Sequence, residues 1–178
     1  IQIPEPCTNP SRVVYVPELI VRSSLQGQES IVGANTSEME KSCDTPVFGH
    51  DYFEKVFAAR PDPWKYTSPY EQKKYEQTLE MLPPGRIGRA LEIACAEGHF
   101  TVKLATRTDH LIAADISQTA LGRAAKRCSN MKNMRFVQLD LNRDTLPGRF
   151  ELIVCSEMLY YVGGQDALKA IARKLAKA

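Results

Sequence analysis

A chain of 178 residues and 19.9 kDa is long enough for one well-buried domain and too short for two ordinary ones. At 43% hydrophobic and 25% charged it fits neither a disordered chain nor a membrane protein, and no apolar run approaches the ~18 residues of a spanning helix. Twenty-three Lys and Arg against 21 Asp and Glu leave a net charge of +2, which gives no nucleic-acid signal. The opening residues lack the basic and apolar segments of a secretion signal, so a cytoplasmic setting is expected. Five widely spaced cysteines without a CxxC pair, and three histidines without a zinc pattern, predict reduced thiols and no metal site.

Residues 1–47 hold five of the eleven prolines and no long helical pattern. Val13-Val14-Tyr15-Val16 and Leu19-Ile20-Val21 read as two short strands around Pro17, which lacks a ladder donor and belongs at an edge or bend. This stretch reads as an extended arm packed on the main domain, or as a partner-binding segment. Such an arm also admits a homodimer.

The main domain is expected over residues 48–178, opening with a helix from Asp51 whose Phe53, Val56 and Phe57 share one stripe. Pro61, Asp62 and Pro63 impose a turn before Trp64 and Tyr66. Ser68 can cap the next helix, with Pro69 in its first turn and Glu71 closing a capping box. Tyr75, Leu79 and Leu82 continue inward until Pro83-Pro84-Gly85 stops the helix.

Strand-like and helical patterns then alternate. Strands are expected over Ala90–Ala94, Leu111–Ala114, Met134–Leu139 and Phe150–Cys155. Helices are expected from His99 to Thr106, from the Ser117 cap to Cys128, and over 166–177. The order predicts an α/β fold, a doubly wound Rossmann-like parallel sheet. The fourth strand leaves an outer sheet edge to be completed. Residues beyond this chain, residues absent from the structure, or the N-terminal strand pair would each satisfy it.

Ligands of such sheets bind beyond the carboxyl ends of the strands. Four strand ends here carry polar or small residues: Glu92 to Gly98, Asp115, Asp140, and Ser156-Glu157-Met158. Gly98 permits a tight turn, while Ala94 and Ala96, with little bulk, let a ligand approach the backbone from ordinary right-handed conformations. Asp115 can accept both hydrogens of a ribose diol, and Asp140 an exocyclic adenine amine; each can equally start or cap a helix. Asp115 follows Ala94 by 21 residues, close to the ~20 of dinucleotide folds. No glycine stands where GxGxxG requires one, and no P-loop pattern occurs.

Taken together, these strand ends resemble a class I S-adenosylmethionine-dependent methyltransferase over roughly Phe53 to Ala178, incomplete on its C-terminal side after the fourth strand and its helix. Asp62-Pro63-Trp64-Lys65-Tyr66, the Ser68–Tyr75 run, Glu92–Gly98 and Ser156–Tyr161 are similar to the nodulation protein S group. That resemblance implies S-adenosylmethionine as cofactor and methylation of an amine on a chitooligosaccharide-type acceptor. It implies that Glu92, Ala94, Ala96 and Gly98 approach the methionine part, and that Asp115 with Ile116 holds the ribose. Asp140 and Leu141 would address adenine, with Ser156 at the rim and Trp64 and Tyr66 closing over the ligand. Trp64 has core packing as its competing role, and Glu71 reads as a cap partner rather than a chemical group.

Glu157, with Tyr160 nearby, is the best candidate to orient an acceptor or take its proton. The leading expectation is therefore methyl transfer by direct displacement to a small-molecule acceptor, an amine of an amino sugar or natural product. An RNA or protein methyltransferase, and a noncatalytic nucleoside-binding or assembly module, stand as alternatives.

Overall fold

The computed structural model describes residues 13–15 and 48–178. Strands β1 (Val13–Tyr15), β2 (Ile87–Ile93), β3 (Thr108–Asp115), β4 (Met134–Gln138) and β5 (Leu152–Cys155) form one sheet in the order β1-β5-β2-β3-β4. Every pairing is parallel. Helices α1 (His50–Ala59), α2 (Pro69–Glu80), α3 (His99–Ala105), α4 (Gln118–Arg127) and α5 (Gln165–Lys177) flank it, with a short 3₁₀ turn at Leu159–Tyr161.

Side-chain alternation explains why strands with near-continuous apolar sequence are stable here. Leu91, Ile93, Ile112, Ala114, Ile153 and Cys155 face one way and pack with Ile171 and Leu175 of α5. Ala90, Leu111, Leu152 and Val154 face the other way, toward Phe100 and Leu104 of α3 and Tyr75 and Leu79 of α2. Both faces are covered, so neither needs polar residues. Cys95, Cys128 and Cys155 are buried thiols outside any disulfide, and burial pushes Cys95 well above the ordinary thiol range. Packing is their role in the fold.

The expected helices form with small shifts at their ends. Ser68 accepts from the Glu71 amide at 3.3 Å, and Ser117 accepts from the Ala120 amide at 3.1 Å. The expected capping box is only half made. The Glu71 carboxylate turns to Lys74 at 3.0 Å, because an ammonium ion in a half-buried setting is a stronger partner than a backbone amide.

Beside β5 lies β1, with Val13 opposite Leu152 and Tyr15 opposite Val154. One N-terminal strand therefore lines the edge that sequence left open, while Leu19–Val21 lie outside the described residues. Strand order reverses between β2 and β5, and the register sets Ile93 beside both Ala114 and Cys155. The ends of β2, β3 and β5 thus reach the same rim, where a doubly wound sheet opens its crevice.

Candidate functional site

Two adjoining chambers of about 210 and 230 Å³ open at this rim. The first is lined by Ala94 and Ala96 from the turn after β2, Asp115 and Ile116 after β3, and Asp140 and Leu141 after β4. Ser156, Glu157 and Tyr160 close it from the end of β5, and Trp64 and Tyr66 from the segment before α2. The second is lined by Glu92, Cys95, His99 and Phe100 on the core side and by Tyr70, Tyr75 and Thr78 on α2. Tyr66, Glu71, Lys74, Ala94, Ala96, Ser156 and Glu157 belong to both walls. Thus all the sequence-selected residues except Gly98 border a chamber.

Gly98 serves the turn indirectly. Its φ is +79°, and a Cβ there would lie 3.0 Å from Ala124 Cβ, so glycine lets the turn sit against α4. The alanines are a correction to the expected right-handed backbone: φ is +59° at Ala94 and +49° at Ala96. Hydrogen bonds hold them there, since the Ala96 amide donates to Asp115 Oδ2 at 2.8 Å and the Cys95 amide to the Ala114 carbonyl at 3.0 Å. A left-handed alanine costs about 1–2 kcal/mol. Replacing Ala94 or Ala96 with Gly should therefore raise stability by about 1 kcal/mol each, after the extra chain entropy of glycine, as read by chemical denaturation.

Asp115 sits where β3 ends, 6% exposed. Its Oδ1 accepts from the Ser117 amide at 2.9 Å while Oδ2 takes Ala96. Burial raises its carboxyl to about 6 despite those backbone donors. Two neutral amides leave each oxygen a further lone pair for a hydroxyl. Glu92, 4% exposed on β2, is pushed to about 8 by burial, with the Thr101 hydroxyl opposing and Asp115 adding to the rise. Its Oε2 has no hydrogen-bond partner. A neutral acid suits that place.

Asp140 accepts from the Asn142 amide at 2.9 Å, and its own amide donates to Asp144 Oδ2 at 2.8 Å. Leu139, Leu141, Ile116 and Val162 beside it supply the apolar walls that a flat heteroaromatic ring requires. Trp64 is 37% exposed and packs with Phe53, Phe57 and Tyr66 at ring-centroid distances of 6.4, 5.4 and 6.2 Å. It therefore joins an aromatic cluster and also borders the chamber. Tyr66 stacks against His99 at 5.5 Å, and burial raises its phenol.

Sequence reasoning missed the ionic bridge between the chambers. Lys74 Nζ lies 3.0 Å from Glu71 Oε1 and 3.1 Å from Glu157 Oε1, and the Tyr160 hydroxyl donates to Glu157 Oε2 at 2.9 Å. Burial pulls Lys74 down, but the two carboxylates outweigh it and hold the ammonium above its usual range. Glu157 itself has φ +59°, a strained backbone that aims its side chain across the rim. The Lys74 spacing was visible, three residues after Glu71 on a helix face, but the partner from β5 was not.

A second missed residue is Glu54 on α1. It accepts from the Ser117 hydroxyl at 2.6 Å and from the Thr119 amide and hydroxyl, which draws its carboxyl below the usual value. The helix thereby docks on the first turn of α4, next to Asp115 and Ile116. Among the described residues no cluster could hold a metal ion, and no helix is long and apolar enough to cross a membrane.

The nodulation protein S (NodS) family model matches residues 45–178. Nodulation protein S of Bradyrhizobium diazoefficiens is 34% identical over 128 residues, covering 71% of this chain and 61% of that protein. Its counterpart in Rhizobium tropici is 36% identical over 107 residues, 59% of this chain and 45% of that one. The chain thus spans between about half and three fifths of those relatives' length. Among solved structures, the N-methyltransferase NodS from Bradyrhizobium japonicum WM9 in complex with S-adenosyl-L-homocysteine superposes with a TM-score of 0.66. It is 30% identical, the match covering 72% of this chain and 66% of that one. With three quarters of its length matched by the family model, the chain has the class I Rossmann-like methyltransferase fold and belongs to the nodulation protein S family.

Proposed function

We propose that this chain binds S-adenosylmethionine and serves methyl transfer to a small-molecule amine, an amino sugar or related natural product. The observation that carries the reading is the convergence of Ala94, Ala96, Asp115 and Asp140 on one chamber, continuous with a second that lacks any of them but the two alanines. Asp115 offers buried oxygens to a ribose diol, and Asp140 with Leu141 faces the place for adenine. The left-handed turn at Ala94 and Ala96 keeps side chains short where a ligand passes.

S-adenosylmethionine supplies an electrophilic methyl carbon and a neutral thioether leaving group. The residues must then exclude water, align an amine with that carbon, and accept a proton. Tyr66, Tyr70, Tyr75 and Phe100 give the second chamber aromatic walls that attract a cation and exclude solvent. Glu157, oriented by Tyr160 and Lys74, presents a carboxylate to both chambers and takes the amine proton directly or through water. Holding both partners in line supplies the larger part of the effect, up to ~7–11 kcal/mol in favourable models.

The test incubates the chain with methyl-labelled S-adenosylmethionine and deacetylated glucosamine oligomers. Labelled N-methyl product is expected, and Glu157→Gln should reduce its formation at least tenfold while S-adenosylhomocysteine affinity changes less than threefold. Binding without product would make this a nucleoside-binding module. Absence of binding to the folded chain would reject the cofactor.

A further inference from the structure

The loop after β4 is fastened by a residue that borders neither chamber. Lys174 stands on α5 between Ile171 and Leu175, whose side chains are buried in the core, so the docking of that helix fixes where the lysine emerges. Its ammonium group donates to the Leu141 carbonyl and to the Asp144 carbonyl, each at 2.6 Å. Both acceptors belong to the loop that carries Asp140. That loop also closes on itself: the Asp140 amide donates to Asp144 Oδ2 and the Asp144 amide to the Asp140 carbonyl, each at 2.8 Å.

One peptide unit carries the effect of the lysine to the chamber. The Leu141 carbonyl and the Asn142 N–H are its two ends. The carbonyl takes Lys174, and the N–H donates to Asp140 Oδ1 at 2.9 Å. A cation at the oxygen end draws charge from the nitrogen end, so the N–H becomes a stronger donor and Asp140 is held more firmly by Oδ1. Oδ2 remains. Arg143 Nε stands 3.6 Å from it on a side chain 86% exposed, too far for a hydrogen bond and screened by water. Oδ2 is thus left as an acceptor, on a residue that shares the chamber wall with Ile116, Leu141 and Val162.

We propose that Lys174 is a positioning residue for base recognition: without touching the ligand, it sets Asp140 so that one carboxylate oxygen accepts from the exocyclic amine of adenine. The inference rests on the cofactor reading above and adds a determinant of which base the chain takes. Hypoxanthine carries an oxygen where adenine carries that amine. A carboxylate held rigidly repels it, while one free to turn escapes the clash, so rigidity is what discriminates.

Calorimetry with S-adenosylhomocysteine and S-inosylhomocysteine, which differ on that edge of the base, tests it without any acceptor. The native chain should bind the adenine ligand about 30-fold tighter, as expected where a charge-assisted contact is replaced by a repulsion. Lys174→Met should bring the preference below about fivefold, and Lys174→Arg should keep it, since a guanidinium offers donors to both carbonyls. Lys174→Gln retains a donor without the charge and should show the same narrowing, should the methionine variant not fold. A purely structural role lowers both affinities by one factor and leaves their ratio at the native value, which would overturn the proposal. So would equal binding of the two ligands to the native chain. Failure of the native chain to bind either ligand would instead remove the cofactor reading beneath it.

Discussion

Asp115→Asn is expected to weaken S-adenosylhomocysteine binding about 100-fold, the loss of roughly two charge-assisted hydrogen bonds from a buried acceptor. The native oxygens each take one backbone amide, from Ala96 and Ser117. An amide group in place of one oxygen would set N–H against N–H, so the ribose acceptor and the turn are disturbed together. The carboxyl sits at about 6 through burial, which gives the prediction a pH signature. A diol has two hydrogens to donate, so it binds the ionised form. Affinity in the native chain should fall about tenfold per unit as pH drops below 6, and the Asn variant should lack that slope. Titration calorimetry at several pH values reads both quantities. A native affinity flat from pH 7 to 5 would remove Asp115 from the ribose.

Glu92→Gln should change stability more than any other conservative substitution in the core. In the folded chain this carboxyl lies at about 8, above its reference value of 4.5, so the native state holds a proton that the unfolded chain has released. Stability therefore falls as pH rises from 4.5 toward 8, by about 1.4 kcal/mol per unit and ~5 kcal/mol in all, then levels off. Asp115 contributes with the same sign between 3.8 and about 6. Gln copies the neutral acid's shape and cannot ionise. Urea unfolding at pH 5 and pH 8 should show a large drop for the native chain and a drop several kcal/mol smaller for Glu92→Gln. Parallel drops in the two proteins would mean that Glu92 is ionised throughout.

Much of the scaffold is written locally. Ser68 and Ser117 announce helix starts, β3 ends on Asp115, and β2, β4 and β5 are followed within two residues by Ala94, Asp140 and Ser156, all of which border the chamber. These signals are legible because a cap or a strand end is decided within a few residues of chain. The ionic bridge is of another kind. Its lysine lies on α2 and one partner lies 83 positions further on, after β5, so only the folded sheet brings them together. The same holds for Glu54, whose donors lie 63 and 65 positions away. The alanine backbone failed for a different reason. An L-residue is expected on the right-handed side, and only the amide of Ala96 caught by Asp115 shows why it crosses over.

Glu97 ties the aromatic segment to the nucleotide turn. Its carboxylate, 3% exposed, accepts from the Asp62 amide at 3.0 Å and from Arg123 at 2.7 Å. Prising that pair apart would strand a buried charge, which costs far more than separating a solvent-touched one. The Lys74–Glu157 contact is wetter, with side chains 24% and 45% exposed. The crevice thus has a stiff jamb and a yielding one: the contact between α2 and the β5 rim is the easier of the two to part, and the pair behind the tryptophan segment is the harder.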